Sequence, residues 1–549
     1  MNTVRSTFAA IFLAAVTGIL PFTASAQTTQ TTAETAEVVL SPLQQAIKSE
    51  LKTQISSTPS KFAKKRIAAI SDYYEQNGFS SLWLKDNQVS DRAAAIVRSI
   101  ERAEEHALYP ADYAVTALQQ APDPADTSAL AAYEIRLARS LVAFAQHLNA
   151  GRVSPKTVTR ENVIYPEAIA AEKILQDATS TSNVVAYLRL LAPHTPRYER
   201  LRLALASYRS LAQQGGWEQI AEGEVLKPGM EDDRVPALRK RLAVTGDYIG
   251  DTTNPSIVYD GDIVDAVMAF QKRHGLEIDG VIGRNTLKEI NMTIEERIAM
   301  MEYNLERRRW MQDDYGRYYV FANLADQVLK VVKDEKTLHA ELIQVGLPYH
   351  RTPVFTDEME YIEINPYWNV PKSIAVNELL PKLRQNANAL SSQNFEVLRG
   401  GKVIPAYGVP WGNYSKVNFP VRLRQKPGTK NALGRIKFMF PNNFNVYIHD
   451  TPSKSKFDKA SRFFSHGCLR LKDPLKMAEV LLGEQGWNRA KIDATVASKK
   501  RKVVKLEKKI PVHIAYMTAW VNKDGSVHFR RDVYGRDKIL GKALKKVQS

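Results

Sequence analysis

The sequence predicts a multidomain α+β protein: an α-helical scaffold domain, a small three-helix domain, and a mainly β C-terminal domain carrying an inserted lid subdomain. Three observations predict it. At 549 residues the chain is too long for one ordinary core. Apolar residues recur three or four apart through much of 61–222 and alternate with polar ones after Trp310. Between the two regimes, residues 223–291 form a short unit punctuated by its own glycines. An apolar content of 44% with 25% charged residues excludes a disordered chain. The balance of 76 Lys+Arg against 59 Asp+Glu, a formal +17, favours polyanions as partners.

The first residues choose among those partners. Arg5 precedes an apolar run over 8–20, Pro21 breaks it, and Ala24-Ser25-Ala26 offers a small-x-small cleavage site before Gln27. Residues 1–26 therefore read as a secretory signal peptide, too short in its apolar part for a span of about 18 or more residues. No later segment has that length and apolarity, so no stable membrane span is expected once the signal is removed. Export argues against nucleic acid and assigns the positive charge to an anionic extracellular polymer or membrane surface. Residues 27–60, rich in Thr, Ser, Gln and Ala, read as a linker.

Within 61–222, Leu130, Tyr133, Leu137, Leu141, Phe144 and Leu148 form one helical stripe, closed by Gly151 as C-cap with Pro155 soon after. Ile96, Ile100, Ala103 and Leu108 suggest a second helix. His106 and His147 lack a second ligand nearby and read as helix residues rather than metal ligands. In 223–291, Val235, Leu238 and Leu242 mark one helix, and Ile263, Val267 and Phe270 another; Asn285 or Thr286 opens a third. A helix carrying Arg307, Arg308, Arg309 and Trp310 follows. Strands are then expected at 318–323, 327–332, 361–364, 435–440, 445–449, 510–521 and 526–529. The mainly β domain spans 296–540. Residues 373–433, including a helical-looking 376–386, form the insertion, and Lys402, Tyr407, Trp411 and Tyr414 are its candidate clamping residues. A basic tail is expected at 541–549.

The chain has one cysteine, Cys468, in Ser465-His466-Gly467-Cys468-Leu469-Arg470. A lone thiol in an oxidising compartment reads either as a buried small hydrophobe or as a reactive group. A strand ending Val446-Tyr447-Ile448-His449 lies just upstream. A thiol attacks only as thiolate, so it needs a base or positive charge nearby, and a histidine can both take that proton and return it to a leaving amine. Gly467 permits close backbone approach, and N–H groups at Gly467 and Cys468 are candidates to hold an oxyanion. Arg470 can pair with a substrate carboxylate or favour the thiolate. Periodicity leaves both His449 and His466 open as the base. It also leaves open a zinc site built from His449, His466 and Cys468, though no metal or other cofactor is expected.

Two resemblances sharpen this. Phe270-Gln271-x-x-x-Gly275-Leu276-x-x-Asp279-Gly280-x-x-Gly283 resembles the peptidoglycan-binding domain type, which implies wall binding or a bracing role. His449-Asp450-Thr451-Pro452 with Arg462-x-x-Ser465-His466-Gly467-Cys468-Leu469-Arg470 resembles the L,D-transpeptidases of the YkuD type. Ile364-Asn365-Pro366-x-Trp368-x-Val370-Pro371, Val345-Gly346 and Arg351-Thr352-Pro353 match the same family, and the domain order resembles its long YcbB-type members. The resemblance implies Cys468 as nucleophile, His449 as general base and the Gly467 backbone in the oxyanion hole. His466 and Arg470 shape the site, and Ser465, Tyr447, Trp368 and Trp411 line the substrate cleft. Asp450 stands where many relatives have Gly; a backbone carbonyl there can orient His449, no role is assigned to the carboxylate, and the orienting partner stays open. The implied reaction is 3→3 cross-linking of meso-diaminopimelate stem peptides with loss of D-Ala, sensitive to carbapenems. A lipoprotein, a D-amino acid or water stay open as acceptors, as does a non-catalytic wall-binding scaffold; no wall-synthesis partner is identified.

Overall fold

The structure, a computed structural model, describes residues 39–548 apart from Ser60 and 312–314. The signal peptide and most of the expected linker, through residue 38, lie outside the described residues. Among the described residues no helix is long and apolar enough to cross a membrane.

The expected linker is corrected from its first described residues onward. Helix α1 (Pro42–Ser57) starts at a capping box made by Ser41 and Gln44, and buries Ile47 and Leu51 in the scaffold core. Its apolar positions, four apart, are hidden in sequence by the polar residues between them. The central scaffold helix α2 (Thr127–Ala150) buries the whole predicted stripe, and Gly151 ends it at φ +89°. Ile96 and Ile100 sit on one helix, Asp91–Glu101, while Ala103 opens the 3₁₀ turn Ala103–His106 beyond it and Leu108 lies buried past that turn. His147 faces the Tyr113 hydroxyl and His106 the Tyr198 hydroxyl, each at 3.0 Å.

Three helices, α3 (Val235–Val244), α4 (Gly261–His274) and α5 (Arg284–Ile290), enclose a small core around Leu238, Val267 and Phe270. Gln271 explains the glycine-rich signature after it. Its amide oxygen accepts from Asp279 and Gly280 N–H, and its amide nitrogen donates to Asp279 Oδ1 and to the Val281 carbonyl. Gly275 caps α4 at φ +66°, where a Cβ would also strike Arg530.

After α6 (Ile294–Trp310), eight strands close a ring: β1 (Tyr318–Asn323), β2 (Val328–Lys333), β3 (Lys336–Gly346), β4 (Val354–Ile364), β5 (Ile436–Met439), β6 (Ile448–His449), β7 (Leu469–Leu471) and β8 (Lys502–Ala515). Their order is β5-β6-β7-β3-β2-β1-β8-β4, and β4 pairs again with β5. The β6–β7 and β8–β1 pairs are parallel and the rest antiparallel. Helix α7 (Pro474–Leu482) adds Met477 and Leu482 to the ring's core. The insertion supplies three strands of a four-stranded sheet whose fourth is Trp368–Asn369, and it has its own core of Leu380, Leu383, Val397, Trp411, Tyr414 and Leu423.

The domains interlock more than the sequence suggests. Helix α6, and the hairpin Ala519–Val521 with Val527–Phe529, pack in the scaffold core rather than the ring. The expected 510–521 strand accordingly breaks after Ala515. From the scaffold side, Asn162–Val163 adds a parallel edge strand to β4. The expected basic tail is helix α8 (Arg536–Gln548), whose Leu540 is fully buried with Trp310, Val153 and Val158. Its lysines alternate with an apolar face, which composition alone conceals.

Candidate active site

Strand alternation builds the site. On β5, Ile436 and Phe438 fill the ring's interior, so Lys437 lies on the outer face; Ile448 against His449 and Leu469 against Arg470 repeat the pattern on β6 and β7. Register then aligns Glu363, Lys437, His449, Arg470 and Gln344 as one polar row across β4, β5, β6, β7 and β3. Tyr447 and Cys468 lie two residues before His449 and Arg470, on the same face, and the strands are tied there by Leu469 N–H donating to the Tyr447 carbonyl at 3.1 Å.

The loop that presents the sulfur is held from within. Gly467 has φ +117°, a conformation reserved for glycine. The Ser465 hydroxyl donates to the Cys468 carbonyl at 2.6 Å and accepts the Gly467 N–H at 3.0 Å. Thr352 donates to the Gly467 carbonyl at 2.9 Å and accepts from Gly346 N–H. Gly346 is required here because a Cβ would collide with the His350 carbonyl. Arg462 is also structural: it holds the Lys459 and Ala460 carbonyls and the Gln327 backbone.

His449 is buried, with Nδ1 2.5 Å from the carbonyl oxygen of Asp450. A carbonyl only accepts, so Nδ1 carries the hydrogen and Nε2 is left as the basic nitrogen. Burial, reinforced by the Arg470 cation, lowers the ring's pKa to about 3, so it is neutral across the physiological range. The Asp450 carboxylate is occupied elsewhere, by Arg435 and Lys454 at 2.9 and 2.7 Å. Burial alone would raise that carboxyl, but these cations win and hold it below the usual range.

Cys468 is partly accessible to solvent. Burial of its surroundings raises the thiol pKa; the Tyr447 backbone N–H, Lys437 and Arg470 pull the other way without overcoming it. The resting pair is thus neutral thiol and neutral imidazole. Lys437 Nζ lies 4.0 Å from the Tyr447 ring centre, and burial lowers its own pKa. The Cys468 N–H has no acceptor among the described residues and borders the sulfur.

Tyr447 and Trp368 are partly exposed, and the Cys468 thiol points to the Asn445 carbonyl at 3.8 Å. His466 faces away from the base. Its Nε2 lies 2.8 Å from Glu378 of the insertion, and its ring sits tilted against His350, with ring centres 4.8 Å apart. Three predicted roles are corrected. Gly467 N–H is committed to Ser465 and is not available to an oxyanion. Ser465 is buried and spends its hydroxyl inside the loop, not on substrate. Trp411 is buried in the insertion core, donating to the Ala406 carbonyl, and Tyr414 packs beside it, whereas Tyr407 and Lys402 are exposed. The zinc arrangement does not form either: no group of three such ligands converges among the described residues. Sequence reasoning missed Lys437, although a lysine between two inward apolar strand residues was legible. Glu378 and the hydroxyl of Thr352 gave no comparable signal.

Residues 317–512 match the YkuD family, described as an L,D-transpeptidase catalytic domain. Residues 231–290 match a "Putative peptidoglycan binding domain", and 68–205 a scaffold domain. A protein from Haemophilus influenzae named "Putative L,D-transpeptidase" is 31% identical over 259 residues, 47% of this chain; the match spans about half (51%) of that relative's length. A crystal structure of an L,D-transpeptidase from Xylanimonas cellulosilytica is similar at 14% identity and TM-score 0.18, over 54% of this chain and 98% of that one. A fused Zn-dependent amidase/peptidase with a peptidoglycan-binding domain from Clostridium acetobutylicum is similar at 11% identity and TM-score 0.14, over 53% and 100%. Those two scores are too low to bear on the fold. The strand ring that presents Cys468 is a catalytic domain of the YkuD L,D-transpeptidase family, carried here with a scaffold domain and a domain of the peptidoglycan-binding type.

Proposed function

We propose that this protein is a periplasmic peptidoglycan L,D-transpeptidase that forms 3→3 cross-links through a Cys468 thioester. The carrying observation is the neutral His449 with Nδ1 fixed on the Asp450 carbonyl, on the same sheet face as the chain's single cysteine. Nε2 takes the thiol proton, and the thiolate forms beside Lys437 and Arg470. The sulfur attacks the carbonyl joining the meso-diaminopimelate residue of a stem to its terminal D-Ala. The Cys468 N–H meets the oxyanion, and His449 returns its proton to the departing amine. The side-chain amine of a second stem then attacks the thioester, restoring the thiol and completing a ping-pong cycle. A carbapenem acylates the same sulfur, and residues 1–26 deliver the chain to the periplasm.

Mass spectrometry of muropeptides after incubation with tetrapeptide substrates tests this reading. The expected result is a 3→3 dimer with one D-Ala released per cross-link, absent with Cys468→Ala. A product or carbapenem adduct that survives in Cys468→Ala would falsify the assignment. Free tripeptide or exchanged D-amino acid in place of dimer would reassign the acceptor.

A further inference from the structure

We infer that the scaffold–catalytic junction holds a binding site for a phosphate group, separate from the thiol face. Helix α6 carries Arg307, Arg308 and Arg309 in succession, and successive helix residues point about 100° apart, into three surroundings. Arg307 meets Asp537 of α8 at 2.6 Å and Arg309 meets Glu306 at 2.6 Å. Arg308 meets no carboxylate. It is 7% exposed, makes no hydrogen bond or ion pair among the described residues, and leaves a sealed Nε without partner. Buried guanidinium groups are otherwise paired, because an uncompensated buried charge is strongly unfavourable.

Arg308 borders a cavity of about 140 Å³ between the scaffold helix Pro196–Gln213, β1, β2 and the hairpin that follows Ala519. Arg197, Arg200, Lys330 and Lys523 line the same cavity. Its two carboxylates do not match this charge. Asp326 is already bridged by Arg530 at 2.6 Å, and Glu335 lies 3.9 Å from Arg197. Burial and the neighbouring Arg197 and Arg200 cations push Arg308 down to about 10, the response of a cation held among cations.

The shape of this donor set selects the ligand. Donors come from two helices, a strand and a hairpin, so they converge from several directions. A planar carboxylate offers two oxygens in one plane, whereas a tetrahedral phosphate presents oxygens all round and, as a dianion, offsets two charges. The cavity has room for a group of few heavy atoms, so it takes free phosphate or the terminal phosphate monoester of a larger molecule.

The test is calorimetric titration of the full chain with inorganic phosphate at constant ionic strength, with acetate and glucose 1-phosphate as parallel arms. Saturable phosphate binding is expected, with acetate producing no heat. Arg308→Gln should weaken it at least tenfold, and Arg308→Lys, which keeps charge and loses the fork, should lie between. Lys330→Ala on the strand wall gives the same reading if Arg308→Gln does not fold: weaker binding with an unchanged melting temperature in phosphate-free buffer. Competition by glucose 1-phosphate identifies a terminal monoester as the ligand, and its failure identifies free phosphate. Equal binding of acetate, no saturable binding, or unchanged affinity in both Arg308→Gln and Lys330→Ala overturns the site.

Discussion

At the scale of single residues, the free site stores no ion pair. With His449 lowered to about 3 and the Cys468 thiol raised, the proton sits on sulfur at rest, and the cations Lys437 and Arg470 act only once it leaves. Alkylation of Cys468 by iodoacetamide should therefore rise about tenfold per pH unit from neutrality, with no plateau below about pH 9. A plateau near pH 6 would instead mean a resting thiolate–imidazolium pair. Ser465→Ala removes the hydroxyl that fixes both Gly467 N–H and the Cys468 carbonyl, so kcat should fall about tenfold to hundredfold through lost positioning. Steady-state kinetics beside a melting curve separates that from unfolding. Cys468 was legible because it is the chain's one thiol, whereas position alone left His449 and His466 equal and only the family resemblance separated them. The oxyanion donors were not legible, because which N–H is already spent depends on where a serine hydroxyl turns.

At the scale of elements, the insertion is tied to the thiol loop by His466 and Glu378, both substantially exposed at 37% and 47%. Such a pair is worth about 0.2–1 kcal/mol. Glu378→Ala should thus change KM by no more than about fivefold and leave kcat unchanged; a change beyond tenfold would mean that Glu378 itself touches the substrate. The ring's strands were legible where alternation was clean, as at Ile436-Lys437-Phe438. The strand Lys336–Gly346 escaped because its first half is polar and exposed. Both termini of the described chain misled for a shared reason: a short amphipathic helix of ordinary polar composition looks like a tether until its one buried face finds a neighbour.

At the scale of the whole molecule, buried charges couple the three domains. Glu289 of the three-helix domain pairs with buried Arg297 of α6 at 3.0 Å and with Arg531 beyond the hairpin at 3.1 Å. Glu289→Gln strands Arg297 and should cost about 3–5 kcal/mol, read from denaturant unfolding. Acid should loosen the whole assembly. His106 and His528 are lowered to about 4 and His449 to about 3, mainly by burial, and His147 and His274 lie well below their ordinary 6.5. Between pH 6.5 and about 4 the unfolded chain binds protons that the folded one refuses, so stability falls as pH falls through that window. The unfolding midpoint should drop steadily there; an unchanged midpoint between pH 6.5 and 4 contradicts the buried neutral state of these rings.

The place of β8 in the ring has a further consequence. It lies between β1 and β4, yet it is the last of the eight strands in the chain. A polypeptide made from its N-terminus exposes Cys468 before residues 502–515 exist to close the ring. During that interval the ring that carries the sulfur is unfinished, and any second thiol in the chain would be within reach of it. The 549 residues hold no other cysteine, so they offer that sulfur no partner for a wrong disulfide before the ring closes.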